Sequence, residues 1–434
     1  MHPPFLVVSD CHGNSFEIPG LFMAGASLSS YSVPDDRSLI PLPASSVLFT
    51  LPKRAPVGYD PVKKQFVTVR EFQGTPVYAA AAFMPPGYIR TLSSAYEELP
   101  GAPRLPLYCY SAVGFRSGKF FAAGIPIDRQ RRHCLSDADT AKALENARPF
   151  KKRHPRNRLV RHLVDNCVLN YRCPNACNLV LGRWECPIPV SSACNAACRG
   201  CISKQPRDSG FPASQHRLEF VPTVEEIVEY VVPHLEDAPA PIASFGQGCE
   251  GEPLLQAGLI EEAIVAIRKR TRRGVINCNT NGSIPKVVER LCGAGLESMR
   301  VSLNSARPEF YERYYRPHGY SFAEVRESIA TARRRGVWVS VNYLVFPGFT
   351  DHPDEMTALT RLIRDTGLNM LQTRNLNVDP VWFQQTMGLD EGGGKAVGMV
   401  SWVDTMKKDH PGVILGYFNP TEKTMRSTRG MEAA

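Results

Sequence analysis

The sequence predicts an α/β fold: a partial (β/α)6 barrel preceded by a β-rich N-terminal domain. Three observations carry this. Strand-like and helix-like segments alternate from about residue 184 to residue 378, which argues for a parallel sheet. Before residue 135, short apolar runs are broken repeatedly by Pro and Gly, and no long amphipathic helix occurs. A cysteine-rich loop follows the first strand of the alternating region, and in parallel α/β folds chemistry collects at the C-terminal ends of strands. The expected division is a β-rich domain at 1–135, a basic, Cys-containing linker at 136–183, the barrel at 184–378 and an extension at 379–434.

Composition narrows the class. The 434 residues are 43% hydrophobic, enough to bury a sizeable core. The longest apolar run, Val77 to Met84, is far short of the roughly 20 residues that span a bilayer, so no membrane is expected. Met1-His2-Pro3-Pro4 lacks the charged start and apolar stretch of a signal peptide, which makes the cytoplasm the expected compartment. Seven of the 13 cysteines lie from Cys167 to Cys201 and none follows Cys292. Clustering in a reducing compartment favours metal over disulfides. The formal charge is +9, much of it at Lys151-Lys152-Arg153-His154-Pro155-Arg156-Asn157-Arg158. That stretch is read as a solvated linker or basic surface; contact with phosphates is the alternative.

In the N-terminal domain, Phe5 to Val8 and Val47 to Leu51 read as short strands. Ser111 to Phe115, a turn at Arg116-Ser117-Gly118, and Lys119 to Ile127 form a predicted hairpin. Ser9-Asp10-Cys11-His12-Gly13-Asn14 resembles the first metal-binding motif of calcineurin-like metallophosphatases. The further motifs of that family are absent, so the stretch is read as a strand followed by a polar turn. The domain is expected to stand apart or to cap the active site.

Asp137 to Ala147 is helical by pattern, and the basic linker follows. Cys167, Cys173, Cys177 and Cys186 come next among several prolines. They are candidates for a second, auxiliary iron–sulfur cluster or a zinc ion; the alternative is four buried bystander thiols. Thr223-Val224-Glu225-Glu226 has the capping-box pattern and starts a helix running to about Glu236, interrupted near Pro233. Strands are expected near Trp184 to Val190 and at Pro241 to Gly246, Val275 to Asn279, Ser298 to Leu303, Val337 to Val345 and Asn369 to Gln372. Helices are expected at Leu254 to Arg270, Pro285 to Ala294, Phe322 to Arg335 and Pro353 to Thr366.

The loop after the first strand holds Cys194, Cys198 and Cys201 at C-x3-C-x2-C spacing. Three thiols so close in sequence suit a loop curled around one metal object, and thiolates suit iron–sulfur clusters or zinc. This trio resembles the cluster motif of the radical S-adenosylmethionine (SAM) superfamily. After the second strand, Gly251-Glu252-Pro253 is similar to that family's GGEP segment, with Glu250 in place of the first Gly. Asn279-Thr280-Asn281-Gly282 resembles its TNG segment, and Ser302-Leu303-Asn304 its SLD or SLN strand. The resemblance covers roughly Trp184 to Asn377.

The resemblance implies a radical SAM barrel with a [4Fe–4S] cluster on Cys194, Cys198 and Cys201. The fourth iron would hold SAM, whose reductive cleavage yields a 5′-deoxyadenosyl radical that abstracts hydrogen from a substrate. It also implies SAM contacts at Gly248, Gly251, Glu252, Pro253, Asn281, Ser302, Asn304 and Asn342. An electron donor such as flavodoxin or ferredoxin is implied as well. The substrate, a small molecule, peptide or RNA, is not given by the sequence, nor is a catalytic side chain. The polar run ending the sixth strand makes Gln372, Arg374 and Asn377 substrate-side candidates, with structural hydrogen bonding within the barrel as the rival account. The rival functions are a zinc- or iron–sulfur-binding protein associated with nucleic acid, and an iron–sulfur scaffold or electron carrier, both without SAM chemistry.

Overall fold

A computed structural model of the chain describes residues 2–130, 135–389 and 395–426. The N-terminal part is an antiparallel sheet. Its main path runs Tyr88–Arg90, Lys119–Pro126, Val113–Arg116, Phe5–Ser9, Ser15–Met23, Arg54–Asp60 and Tyr96–Glu98. The predicted hairpin pairs Arg116 with Lys119. Its two turn residues, Ser117 and Gly118, have φ of +52° and +77°, the left-handed pair that suits the twist of a tight hairpin. The Asp10 motif is the turn between Phe5–Ser9 and Ser15–Met23. The Asp10 carboxylate accepts from the backbone N–H groups of His12 and Asn14 and from the Asn14 amide, so its oxygens serve the turn.

Residues 136–183 are largely helical rather than an open linker. The helix Asp137–Arg153 starts on a capping box between Ser136 and Asp139 and continues through Pro149. The basic stretch is therefore partly a helix end, where cations meet the negative pole of the backbone dipole. Three of its side chains meet acidic ones: Lys151 and Asp165 at 2.7 Å, His154 and Glu229 at 3.0 Å, and Arg158 and Glu226 at 2.8 Å. Next come Arg158–His162, a π-helical segment Leu163–Asn170, and Pro174–Val180. The helix capped by Thr223 runs unbroken over Val224–Asp237, with Pro233 inside it.

The barrel sheet is parallel throughout. Its strands, in spatial as well as chain order, are β1 (Glu185–Ile188), β2 (Ile242–Phe245), β3 (Val275–Thr280), β4 (Ser298–Leu303), β5 (Trp338–Val345), β6 (Met370–Asn375) and β7 (Ile414–Gly416). The seventh strand is one more than the sequence suggests. Its three residues follow a Pro-Gly turn and are too few to show a period. One face of each strand packs on the helices. Cys186, Ala243 and Ile276 sit in register there, all fully buried. Register also lines up the opposite, inward row: Ser302 beside Asn342 beside Gln372, and Leu344 beside Arg374.

The N-terminal sheet seats against the C-terminal end of β6. Arg90 donates from its backbone to the Asn375 side chain at 2.8 Å and from Nη2 to the Leu376 carbonyl at 3.0 Å. Arg54 donates to Asp379 at 3.0 Å, and both side chains are buried. A buried pair of this kind fixes geometry more than it adds stability.

Candidate active site

Two loops at the C-terminal end of the sheet are built into each other. The cysteine loop leaves β1, and the loop Gly246–Glu252 leaves β2. Gly251 donates its N–H to the Ser191 carbonyl at 2.7 Å, and Glu252 donates to the Ala193 carbonyl at 2.8 Å. The approach is so close that a Cβ on Gly251 would stand 1.9 Å from the Ala193 oxygen, so only glycine fits.

Glu250, where the family pattern has glycine, is part of this joint. Its buried carboxylate accepts from the backbone N–H groups of Val190 and Ser191 on one side and Gln247 on the other, at 2.6–2.8 Å. Glu252 braces the other flank, accepting from Leu254 N–H, Asn281 N–H and the Thr280 hydroxyl. Burial raises both acids, Glu250 to about 8 and Glu252 to about 7, against the donors that favour the anions.

The cysteine loop is also tied down on its far side. Ala197 and Arg199 donate their N–H groups to the carbonyls of Tyr315 and Tyr314, and His318 donates to the Asn195 carbonyl. The Asn195 side chain is held by Asn281 at 2.8 Å and Ser283 at 2.9 Å. Cys194, Cys198 and Cys201 are thereby left half-buried on a fixed irregular backbone. Arg217 donates from Nη2 to the Cys201 sulfur at 3.5 Å.

Beside the trio lies a cavity of about 380 Å³. Its lining includes Gly246, Gly248 and Gly251 of the second loop and Asn279, Arg300, Ser302, Asn342 and Arg374 of the strands. The Oδ1 of Asn342 is buried there without a hydrogen-bond partner, an acceptor available to a ligand. Arg300 is pushed down to about 9 by burial and by the neighbouring charge of Arg374.

The family "Radical SAM superfamily" matches residues 188–360. These residues form a radical SAM domain. Among relatives, the GTP 3',8-cyclase of Aquifex aeolicus is 30% identical over 208 residues, covering 47% of this chain and 61% of that protein. The GTP 3',8-cyclase of Peptoclostridium acidaminophilum is 28% identical over 176 residues, 40% of this chain and 50% of that protein. The chain thus spans between half and about three-fifths of the length of these curated relatives. Among solved structures, methylornithine synthase aligns with a TM-score of 0.36 at 12% identity, over 63% of this chain and 68% of that one.

The cofactors of radical SAM domains are a [4Fe–4S] cluster and SAM. The three half-buried thiols of one braced loop, the glycine-lined cavity wall and the orphaned Asn342 oxygen suit them.

The other residues singled out from the sequence divide clearly. Gly248, Gly251, Ser302, Asn342 and Arg374 line the cavity. Glu252 and Asn281 instead bond each other beneath the loop, and Pro253 is buried at the start of a short 3-10 helix. Asn304 does not share the cavity with Ser302. β4 ends at Leu303, so the two-residue alternation stops, and the Asn304 amide turns to the Phe310 carbonyl at 3.3 Å. Gln372 is fully buried between Arg300 at 3.2 Å and Asn419 at 2.9 Å, a structural role. Asn377 lies beyond β6 and is not part of the cavity lining.

The four upstream cysteines have different surroundings. Cys177 and Cys186 are fully buried in the apolar core, Cys186 on the strand face opposite cavity-lining Pro187. Cys173 lines the cavity, and Cys167 meets Cys249 across 3.6 Å.

Sequence reasoning passed over Arg300, Arg217 and Cys249. For Arg300 the signal was present: it lies two residues from Ser302 and therefore on the same strand face. For Arg217 and Cys249 only the folded loops create the contact.

Proposed function

We propose that this chain is a radical SAM enzyme whose cluster sits on Cys194, Cys198 and Cys201 and whose substrate enters the cavity at the C-terminal ends of β3 to β6. The observation that carries the reading is the paired backbone joint from Gly251 and Glu252 to Ser191 and Ala193. It sets a glycine-lined cavity wall next to a metal-binding loop. Bound there, the cofactors supply a one-electron reductive cleavage that ends in removal of a hydrogen atom from the substrate.

The chain's own work is positioning and exclusion. Glu250 and Glu252 hold the two loops in one geometry. Arg217 places a cation on the Cys201 sulfur, which favours the more reduced, more negative state of the site. Leu163, Pro187 and Ile202 give the cavity apolar walls. Arg300 and Arg374 give it a positive lining, which suits an anionic substrate. GTP is the first compound to test, because the relatives are named for it.

The test is anaerobic reconstitution with iron and sulfide, reduction with SAM present, and measurement of 5′-deoxyadenosine. Formation of 5′-deoxyadenosine by the wild type and none by Cys198→Ala is expected. Zinc on the trio with no SAM turnover would defeat the reading. For the anionic substrate, Arg374→Met should weaken GTP binding about tenfold or more, the loss of one charge-assisted contact, and leave substrate-free SAM cleavage unchanged.

A further inference from the structure

Outside the trio, one group of donor side chains converges. A ring nitrogen of His162 and the sulfurs of Cys167 and Cys249 all lie within 4.8 Å of one another. We infer that they form a mononuclear site for a zinc-class divalent ion, tying the helices upstream of the barrel to the glycine loop that leaves β2.

Four observations support a single ion here. The two sulfurs are 3.6 Å apart. Thiolates sharing a tetrahedral zinc at about 2.3 Å would stand about 3.8 Å apart, whereas a disulfide needs about 2.05 Å. Both cysteines are buried, at 3% and 4% exposure, so neither is a surface thiol. His162 Nε2 is buried and has no hydrogen-bond partner. The backbone, finally, is wound for the purpose. His162 and Cys167 are five residues apart, which in an α-helix would turn them about 140° from each other. The segment Leu163–Asn170 is instead π-helical, with i→i+5 hydrogen bonds that bring residues five apart toward one side.

The donor set, two Cys and one His, is a zinc-type set with the fourth position open. Cys167 and Cys249 both line the shared cavity, so a fourth ligand would have an approach from it. Cys249 is one residue from Gly248 and two from Gly251, so the ion would tether the loop at a second point besides the backbone joint. The site is separate from the trio and does not require radical chemistry.

The experiment measures zinc and iron per chain in full-length protein purified anaerobically. One zinc per chain is expected in the wild type, and equally in the triple variant Cys194→Ala, Cys198→Ala, Cys201→Ala, which should lose its iron. His162→Gln with Cys249→Ser should lower zinc at least tenfold and keep iron, whereas Cys292→Ser should keep both. Because the double variant can misfold, wild-type chain stripped of zinc is also titrated with Co²⁺. Thiolate-to-cobalt charge-transfer bands are expected, and zinc should abolish them. Three outcomes would overturn the inference: zinc that disappears with the trio, iron that disappears with Cys249, or recovery of a Cys167–Cys249 disulfide in place of metal.

Discussion

Cys198 and Cys186 belong to one short stretch of chain, yet they have opposite surroundings. Cys198 sits on irregular backbone, half-buried, with its loop pinned by the carbonyls of Tyr314 and Tyr315. Cys186 sits inside β1, fully buried, on the face that packs against helices. A thiol in the middle of a strand is committed to one face of the sheet, and Cys186 packs there as a small hydrophobe. A thiol on a braced loop can be aimed. If the trio holds the cluster as proposed, what separates Cys198 from Cys186 is the element that carries each cysteine, not the local density of cysteines.

The sharpest way to break that contrast is to truncate both. Cys198→Ala should abolish cluster binding and reduce 5′-deoxyadenosine formation by more than about 100-fold, beyond the loss typical of outer-shell partners. Cys186→Ala should keep its iron and cost about 1–2 kcal/mol of stability through lost packing. Iron content and thermal unfolding read the two effects; loss of iron from Cys186→Ala would undo the comparison. The same contrast holds for glycines. Gly251→Ala must push the two loops apart, and a displacement of this size can cost up to about 100-fold in turnover. Its readout is the rate of 5′-deoxyadenosine formation at unchanged iron content. Gly258→Ala, on an exposed helical turn with nothing within 4 Å, should raise stability by about 0.5–1 kcal/mol.

The barrel was legible because its strands and helices are long enough to show their periods. β2 to β6 fall where alternation and apolar runs place them, and the Thr223 capping box does start a helix. β7 was not legible, since three residues carry no period. The basic stretch was misleading in isolation. Its charges look free along the chain, but Asp165 and Glu226, distant in sequence, pair with Lys151 and Arg158. That pairing leaves less bare positive charge for a nucleic acid than the sequence alone suggests. Within the site, motif residues on the strand faces could be read from spacing, as Ser302 and Asn342 were. Contacts between loops could not: nothing in the sequence joins Glu250 to Val190, Arg217 to Cys201 or Cys167 to Cys249.

Glu250 allows the finest test of the loop joint. In the family pattern a glycine stands there; here a carboxylate bridges the backbones of both loops. Burial holds its proton to about pH 8, and that of Glu252 to about pH 7, well above the usual range near 4.5. Between those limits the folded chain binds more protons than the unfolded chain, so stability falls as pH rises. The contribution is complete below about pH 4.5 and lost as pH passes through 7 to 8. Thermal midpoints should therefore decline across that window. Glu250→Gln removes the upper part of the slope, leaving only the part due to Glu252. It also sets an amide N–H against one of the backbone donors, which should lower stability at pH 6 by the cost of one unmatched buried group, about 1–3 kcal/mol. An equally steep decline in the Gln variant would mean that the proton sits elsewhere, and the joint would then rest on backbone pairing and glycine alone.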